Sequence, residues 1–264
     1  MKLTEEQLAS YHNDGFLLLE NAFRDDETEA LCAALAEDQR VAGPRLITEN
    51  DGVTLRSIYA SHTRHLLFER LVRTERLLGP ARQIAGDDLY VHQLKINAKQ
   101  AFGGEQWAWH QDYIVWRDAD NLPEPSQVNV ALFLDDVTEF NGPVIFLRGS
   151  HRLGTLERGT APRDHGTAHI DPDAYSLTPA ELADLVKRHE MVGPKGARGG
   201  VLLFHSQIVH GSGTNVSPFA RRLLILTYNP VSAAPRPVGT PRPEHLVGRD
   251  HTPLVVDRTP FDRV

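Results

Sequence analysis

The sequence predicts a mainly β protein, a sandwich or jelly-roll core with flanking α-helices. Three observations predict it. From Leu89 the chain breaks into short aliphatic and β-branched runs separated by turn residues, while helical periodicity is concentrated in the first 88 residues. The regular strand–helix–strand alternation that builds a parallel sheet is missing. Finally, 264 residues, 41% of them hydrophobic, are enough to bury one sizeable core.

Taken in order, Thr4 reads as an N-cap followed by Glu5, Glu6 and Gln7, opening a helix towards Asn13. Asp14-Gly15 breaks it, and Phe16-Leu-Leu-Leu19 reads as a strand. Asp25 to Arg40 is an amphipathic helix with Leu31, Ala34 and Leu35 at helical spacing, and 64–85 is helical again, ending near Gly86. Residues 1–88 are therefore a helical support. The core spans 89–230, its clearest strands being 90–97, 128–134, 144–147, 200–204 and 222–228, with turn signals at Asn141-Gly-Pro and Gly149-Ser-His-Arg. Within it, 155–199 is a polar insertion of lid type, carrying a capping box at Thr178-Pro-Ala-Glu181 that opens a helix to about His189. Residues 231–264 form an irregular tail, proline-rich from Pro230 to Pro243, and the whole is one domain.

Composition removes several classes. No apolar run approaches the ~18–20 residues that a transmembrane helix requires, so no membrane partner is expected. A formal net charge of −7 argues against nucleic acid. The acidic, amphipathic start lacks the layout of a secretory signal, and the single Cys32 forbids an internal disulfide; both point to the cytoplasm. Thirteen histidines raise the chance of a metal site and also supply decoys.

The most informative segment is Trp107-Ala-Trp-His-Gln-Asp112. On a strand, residues i and i+2 share a side, so His110 and Asp112 would present an imidazole and a carboxylate together. A histidine from a distant strand would complete a 2-His-1-carboxylate facial triad, which leaves positions open for a co-substrate and dioxygen on non-haem Fe(II). The distal histidine is His205 or His210. They differ by five, so one unbroken strand cannot aim both at the same metal. Arg221 and Arg222 are candidates for holding a carboxylate, and periodicity does not separate them because both faces of the following run are apolar.

These residues resemble the phytanoyl-CoA dioxygenase family of Fe(II)/2-oxoglutarate oxygenases. His-x-Asp is followed by Asn141-Gly-Pro, by Gly149-Ser-His151, and then by His210-Gly-Ser-Gly-Thr-Asn-Val-Ser-Pro-Phe-Ala-Arg221. The resemblance implies a double-stranded β-helix. It selects His210 as the third ligand, leaves His205 packed or behind the ligands, and selects Arg221 for the distal carboxylate of 2-oxoglutarate, with Ser212 adding a hydroxyl. Lys95 and Asn97 alternate onto one face before the His-x-Asp turn and read either as co-substrate contacts or as structural. Within the family, Ile58-Tyr-Ala-Ser-His-Thr-Arg64, Ala101-Phe-Gly-Gly and the Trp107 segment are most similar to free-standing amino-acid hydroxylases of natural-product pathways, the leucine 5-hydroxylase type. That closer likeness implies a free aliphatic amino acid as substrate. Its candidate contacts are Trp116 (pocket wall or core), Tyr59, Ser61, His62, Ile170 in the insertion, and Arg242, which could clamp a carboxylate.

The implied activity is hydroxylation of an unactivated C–H bond, using Fe(II), 2-oxoglutarate and O2. A zinc hydrolase with the same ligands would want a general base and has no use for Arg221, and no His-Glu-x-x-His motif is present. A non-catalytic binding module has no need of all three ligands. An acyl-CoA or carrier-tethered substrate would call for a basic rim, which the acidic balance does not favour. Halogenases of this fold replace the carboxylate ligand with a small residue, so Asp112 disfavours halogenation.

Overall fold

A computed structural model describes residues 1–157, 175–236, 239–259 and 261. Ile170 lies outside the described residues. Among the described residues, eleven strands form two antiparallel sheets. The N-terminal segment supplies α1 (Glu5–Asp14), β1 (Phe16–Leu19), α2 (Asp25–Asp38), β2 (Leu46–Thr48), β3 (Leu55–Tyr59), α3 (Leu66–Leu71) and α4 (Glu75–Ala85). The core follows with β4 (Leu89–Lys99), β5 (Trp107–His110), α5 (Asp112–Asp120), β6 (Val128–Phe133), β7 (Ile145–Leu147), α6 (Pro179–Leu185), β8 (Met191–Val192), β9 (Val201–His205), β10 (His210–Ser212) and β11 (Arg221–Pro230). The larger sheet runs β1-β9-β6-β11-β4-β3-β2 and the smaller β5-β10-β7-β8, the two layers of a jelly roll.

The parity of the long strands decides what each face does. On β11, Leu224 and Leu226 point outward with Leu94 and Ile96 of β4, Val130 and Leu132 of β6 and Leu203 of β9. There they meet Leu31 and Leu35 of α2, Phe68 and Leu71 of α3, and Leu77 and Leu78 of α4. This helix-covered face is the main core. The alternate residues Leu223, Ile225, Ala131, Phe133, Leu202 and Phe204 point between the sheets, where Phe146 of β7 stacks on Phe16 with ring centroids 5.0 Å apart. The same inward parity carries Arg221 and Thr227 on β11, Asn129 on β6, and Lys95 and Asn97 on β4. Polar residues on an otherwise apolar inner face mark where the site lies.

Three expectations are corrected. Residues 1–88 are not only a helical support, because β1 pairs with β9 and β3 with β4, so this segment adds strands to both ends of the larger sheet. The strand at Phe16–Leu19 stands as expected, whereas β2 and β3 are short runs that the apolar spacing of the helices outweighs in the sequence. The helix over 64–85 is two, broken at Thr74, whose hydroxyl donates to Leu71 O at 2.9 Å and whose backbone bridges Asp257 of the tail. The insertion carries the capping box on Thr178, but α6 ends at Leu185 and β8 follows. Among the described residues, no helix is long and apolar enough to cross a membrane.

Candidate active site

His110 ends β5 and His210 begins β10, and the two are directly opposed in the antiparallel pair. Cross-strand partners lie close enough for their side chains to meet, and the imidazole centroids are 4.4 Å apart. Each ring donates from Nδ1 to a backbone carbonyl two residues back, His110 to Ala108 O at 2.7 Å and His210 to Ile208 O at 3.0 Å. That fixes the tautomer and turns both Nε2 lone pairs inward, as metal ligation requires.

Asp112 reaches the same point by a route that the strand argument did not foresee. The backbone is extended at Gln111, but Asp112 is already the first residue of α5. A carboxylate is favoured in a helix first turn by the partial positive charge there. The Tyr113 N–H, which lacks a partner within the helix, donates to Ser206 O at 3.0 Å. Asp112 Oδ1 lies 3.5 Å from His110 Nε2, and Oδ2 lies 3.8 Å from His210 Nε2. One ligand atom from each residue fits within 4.8 Å of the others, and all three residues are buried.

Burial opposes ionisation of Asp112, but His210, His110 and Lys95 outweigh it and hold the carboxyl well below its usual range. Burial, with His110 beside it, pushes His210 down to about 4. The ligands therefore stand as one anion and a neutral imidazole at ordinary pH, the forms that bind a cation. Behind Asp112, Asn129 donates from Nδ2 to Oδ2 at 2.9 Å, and the Thr227 hydroxyl donates to Asn129 Oδ1 at 2.7 Å. This buried relay went unnoticed in the sequence. Its signal was one polar residue inside each apolar strand run.

The adjoining cavity is lined by Lys95, Asn97, Trp107, Ser212, Arg221 and Thr227 together with the triad and apolar residues of the inner face. Arg221 is 1% exposed, and Nη2 donates to Gly142 O at 2.7 Å. Its buried Nε and the buried Ser212 hydroxyl have no hydrogen-bond partner among the described residues. Burial lowers the guanidinium to about 10. A desolvated cation beside an orphaned hydroxyl, with no carboxylate bonded to it, is the donor set that a dicarboxylate would satisfy. The residues present fit both the metal and the co-substrate.

Other expected residues fall elsewhere. His205 ends β9, in the other sheet from His210, so the one-strand parity argument does not apply. It packs on His151 at 5.1 Å between ring centroids. Trp116 lies on α5 against His92, Tyr113 and Leu122 and does not line the cavity, whereas Trp107 does. Ser61 and His62 occupy a 3-10 turn, and His62 faces a separate surface hollow with Glu69, Arg73 and Glu244. Tyr59 ends β3 and packs on Leu246 and Val247. Arg242 is buried, and its guanidinium is bonded to Asp120. Both described roots of the insertion bind the ligand segment, Leu177 N–H to Trp109 O at 2.7 Å and Leu156 N–H to Gln111 Oε1 at 2.8 Å.

A jelly roll with a 2-His-1-carboxylate group, and a buried arginine beside it awaiting a carboxylate, defines the non-haem Fe(II)/2-oxoglutarate oxygenases. The chain belongs to the phytanoyl-CoA dioxygenase (PhyH) family, which it matches over residues 11–223. It is 36% identical over 255 residues to ectoine dioxygenase of Bordetella bronchiseptica, covering 94% of this chain and 83% of that protein. It is 35% identical over 254 residues to L-proline trans-4-hydroxylase of Streptomyces griseoviridis, covering 93% and 92%. EctD from S. alaskensis, solved with 2-oxoglutarate and 5-hydroxyectoine, superposes with a TM-score of 0.86 at 30% identity over 98% of this chain and 89% of that one. The same protein has been solved with bound Fe. The chain is an Fe(II)/2-oxoglutarate-dependent dioxygenase, with iron, 2-oxoglutarate and O2 as its cofactors.

Proposed function

We propose that this enzyme hydroxylates an unactivated C–H bond of a free amino acid of leucine-like size, acyclic or cyclic. In this reading His110, Asp112 and His210 hold the iron, and Arg221 and Ser212 grip the distal carboxylate of 2-oxoglutarate. Lys95 and Asn97 line the co-substrate side, and Arg242 pairs with the substrate carboxylate. When bound, iron with 2-oxoglutarate and dioxygen supplies the oxidation: 2-oxoglutarate is decarboxylated to succinate and CO2, and one oxygen atom passes to the substrate.

What the chain's own residues do follows from their placement. The Nδ1–carbonyl bonds of both histidines and the Asn129 bond to Asp112 fix the ligands before metal arrives, so little reorganisation is needed. The enclosed inner face of Phe204, Ile225 and Val144 keeps water from the reacting carbon and offers an aliphatic group shape and little else. Recognition must then rest on the charged end of the substrate.

The likeness to relatives named for small molecules carries the substrate class; Arg242, assigned here to the substrate carboxylate, lines a hollow with Asp120 and Asn121 outside the metal cavity. The relatives named for ectoine and L-proline act on small molecules, which supports a free substrate over a tethered one. One methylene more or less should change efficiency by about 1–3 kcal/mol, so several branched or cyclic amino acids should react.

The test is anaerobic reconstitution with Fe(II) and 2-oxoglutarate, then addition of air and a panel of free amino acids, followed by mass spectrometry. Gain of one oxygen atom with matching succinate supports the reading. Oxygenation only of acyl-CoA or carrier-bound substrates would overturn the substrate class and leave the metal chemistry standing.

A further inference from the structure

Arg221 lines the same cavity as His110, Asp112, His210 and Ser212, and it does so with one hydrogen bond already made, from Nη2 to Gly142 O at 2.7 Å. The acceptor belongs to the turn Asn141-Gly142-Pro143, just before Val144, which lines the cavity too. Three features hold that carbonyl still. Asn141 is buried, and its side chain closes the turn: Oδ1 accepts from the Thr138 N–H at 2.9 Å and Nδ2 donates to Asp136 O at 2.7 Å. Phe140 O accepts from the Val216 N–H at 3.0 Å, which ties the turn to the segment between Ser212 and Arg221. Gly142 has a φ of +72°, and a Cβ there would stand 2.7 Å from Gly213 O and 2.8 Å from Lys99 Cδ. Glycine is therefore required twice, by backbone conformation and by space.

We infer that the Asn141-Gly142 turn is a positioning element for Arg221, and that it sets which length of 2-oxo diacid the enzyme accepts. This role rests on the reading of Arg221 given above, as the grip on the distal carboxylate of 2-oxoglutarate. A long arginine with no carboxylate bonded to it has rotamer freedom to lose on binding, and a fixed carbonyl removes part of it before the ligand arrives. A neutral acceptor also orients the guanidinium without cancelling its charge, which a carboxylate in the same place would do. The turn abuts Gly213, the residue after Ser212, so both donors assigned to the distal carboxylate are set against one stretch of backbone. In that reading the metal holds the other end of the co-substrate. The distance between the two ends then decides whether a five-carbon diacid bridges them better than one with a carbon fewer or more.

A turn that serves only to satisfy a buried cation makes different predictions. Disturbing it would lower stability, because a buried donor would lose its acceptor, and would weaken diacids of every length alike. A positioning role changes their relative fit and leaves the metal ligands as they were.

The test uses the full chain loaded with Fe(II) under nitrogen and titrated with 2-oxoglutarate, oxaloacetate and 2-oxoadipate. Affinities, iron retention against a chelator and melting temperature are measured for the parent, Gly142→Ala, Asn141→Ala, Arg221→Ala and the double variant Gly142→Ala, Arg221→Ala. Gly142→Ala should weaken 2-oxoglutarate by about tenfold to a hundredfold, the scale of a contact displaced by about 1 Å. The preference over the shorter and longer diacids should narrow by a similar factor. Iron affinity without co-substrate should stay within about twofold, the scatter expected of independent sites. The double variant should bind 2-oxoglutarate no worse than Arg221→Ala alone, since the turn acts through that arginine. Asn141→Ala loosens the turn without adding atoms, so it should show the same pattern to a smaller degree, and it decides if Gly142→Ala does not fold. If Arg221→Ala binds 2-oxoglutarate like the parent, the reading of Arg221 and this role of the turn both fail. If Arg221→Ala is defective and Gly142→Ala is not, the role of the turn alone fails. Losses that add in the double variant, equal losses for all three diacids, or iron lost along with 2-oxoglutarate would reduce the turn to a structural one. A parent that binds the three diacids equally would overturn the length selection.

Discussion

Arg221 and Arg222 are neighbours on β11 and point to opposite sides of the sheet. Arg221 runs into the cavity and touches Gly142 O, whereas Arg222 clamps Asp135 with Nε at 2.8 Å and Nη2 at 2.6 Å. The half-buried pair is satisfied within the chain, whereas among the described residues no carboxylate is bonded to the buried cation. A bidentate partner is expected from a ligand.

Arg221→Ala should weaken 2-oxoglutarate binding by about 2–5 kcal/mol, the loss typical of a desolvated charge-assisted pair. Arg221→Lys should recover little, because an ammonium does not reproduce the fork. Arg222→Ala should leave that affinity unchanged. Titration of 2-oxoglutarate into the Fe(II) enzyme under nitrogen checks it, and a defect in Arg222→Ala with a normal Arg221→Ala would reverse the assignment.

Asn129→Ala should lower iron affinity by about tenfold to a hundredfold, since a partner that orients a ligand carries that much of the binding. It leaves Asp112 Oδ2 without its donor and breaks the link to Thr227. Thr227→Val, one step further back, should cost less. Competition against a chelator of known strength gives both numbers, and equal, parental affinities would remove the relay from the metal site.

His110→Ala and His210→Ala should each abolish metal-dependent succinate formation while the fold survives, because the two rings touch each other and the cavity more than the main core. His205→Ala should retain it, since that ring packs on His151. Circular dichroism separates unfolding from loss of metal. An active His210→Ala beside an inactive His205→Ala would place the third ligand on β9.

Stability of the metal-free protein should fall as pH drops below neutrality. Burial, together with neighbouring cations, holds His62 and His205 down to about 4, against 6.5 for an ordinary histidine. Between those values the unfolded chain binds protons that the folded chain refuses, so stability is complete above about 6.5 and is lost as pH falls towards 4. His210 adds to the same window while no metal is bound. Melting temperatures in chelator from pH 7 to 4.5 test it. The double variant His62→Gln, His205→Gln should show a shallower slope, and an unchanged slope would mean that neither ring stays neutral.

Local sequence was sufficient wherever a feature is decided by its near neighbours. The N-cap at Thr4, the capping box at Thr178, the Gly15 break and the strands β4 and β11 depend on residues a few positions apart, and they stand where expected. The His-x-Asp…His…Arg order was legible because the chemistry of a facial triad and a carboxylate clamp admits few residue types. What local order could not decide was direction and partnership. Both faces of β11 are apolar, so only the helices packed outside and the smaller sheet inside determine that Arg221 looks inward. Asp112 was placed on a strand, because nothing nearby shows that Ser206, 94 residues on, receives the next N–H and lets a helix start there. Asn129 behind Asp112, and Asp120 behind Arg242, are contacts across 17 and 122 residues. Such pairs exist only once the sheets have closed, since burial of the core, and not any local preference, holds those side chains together.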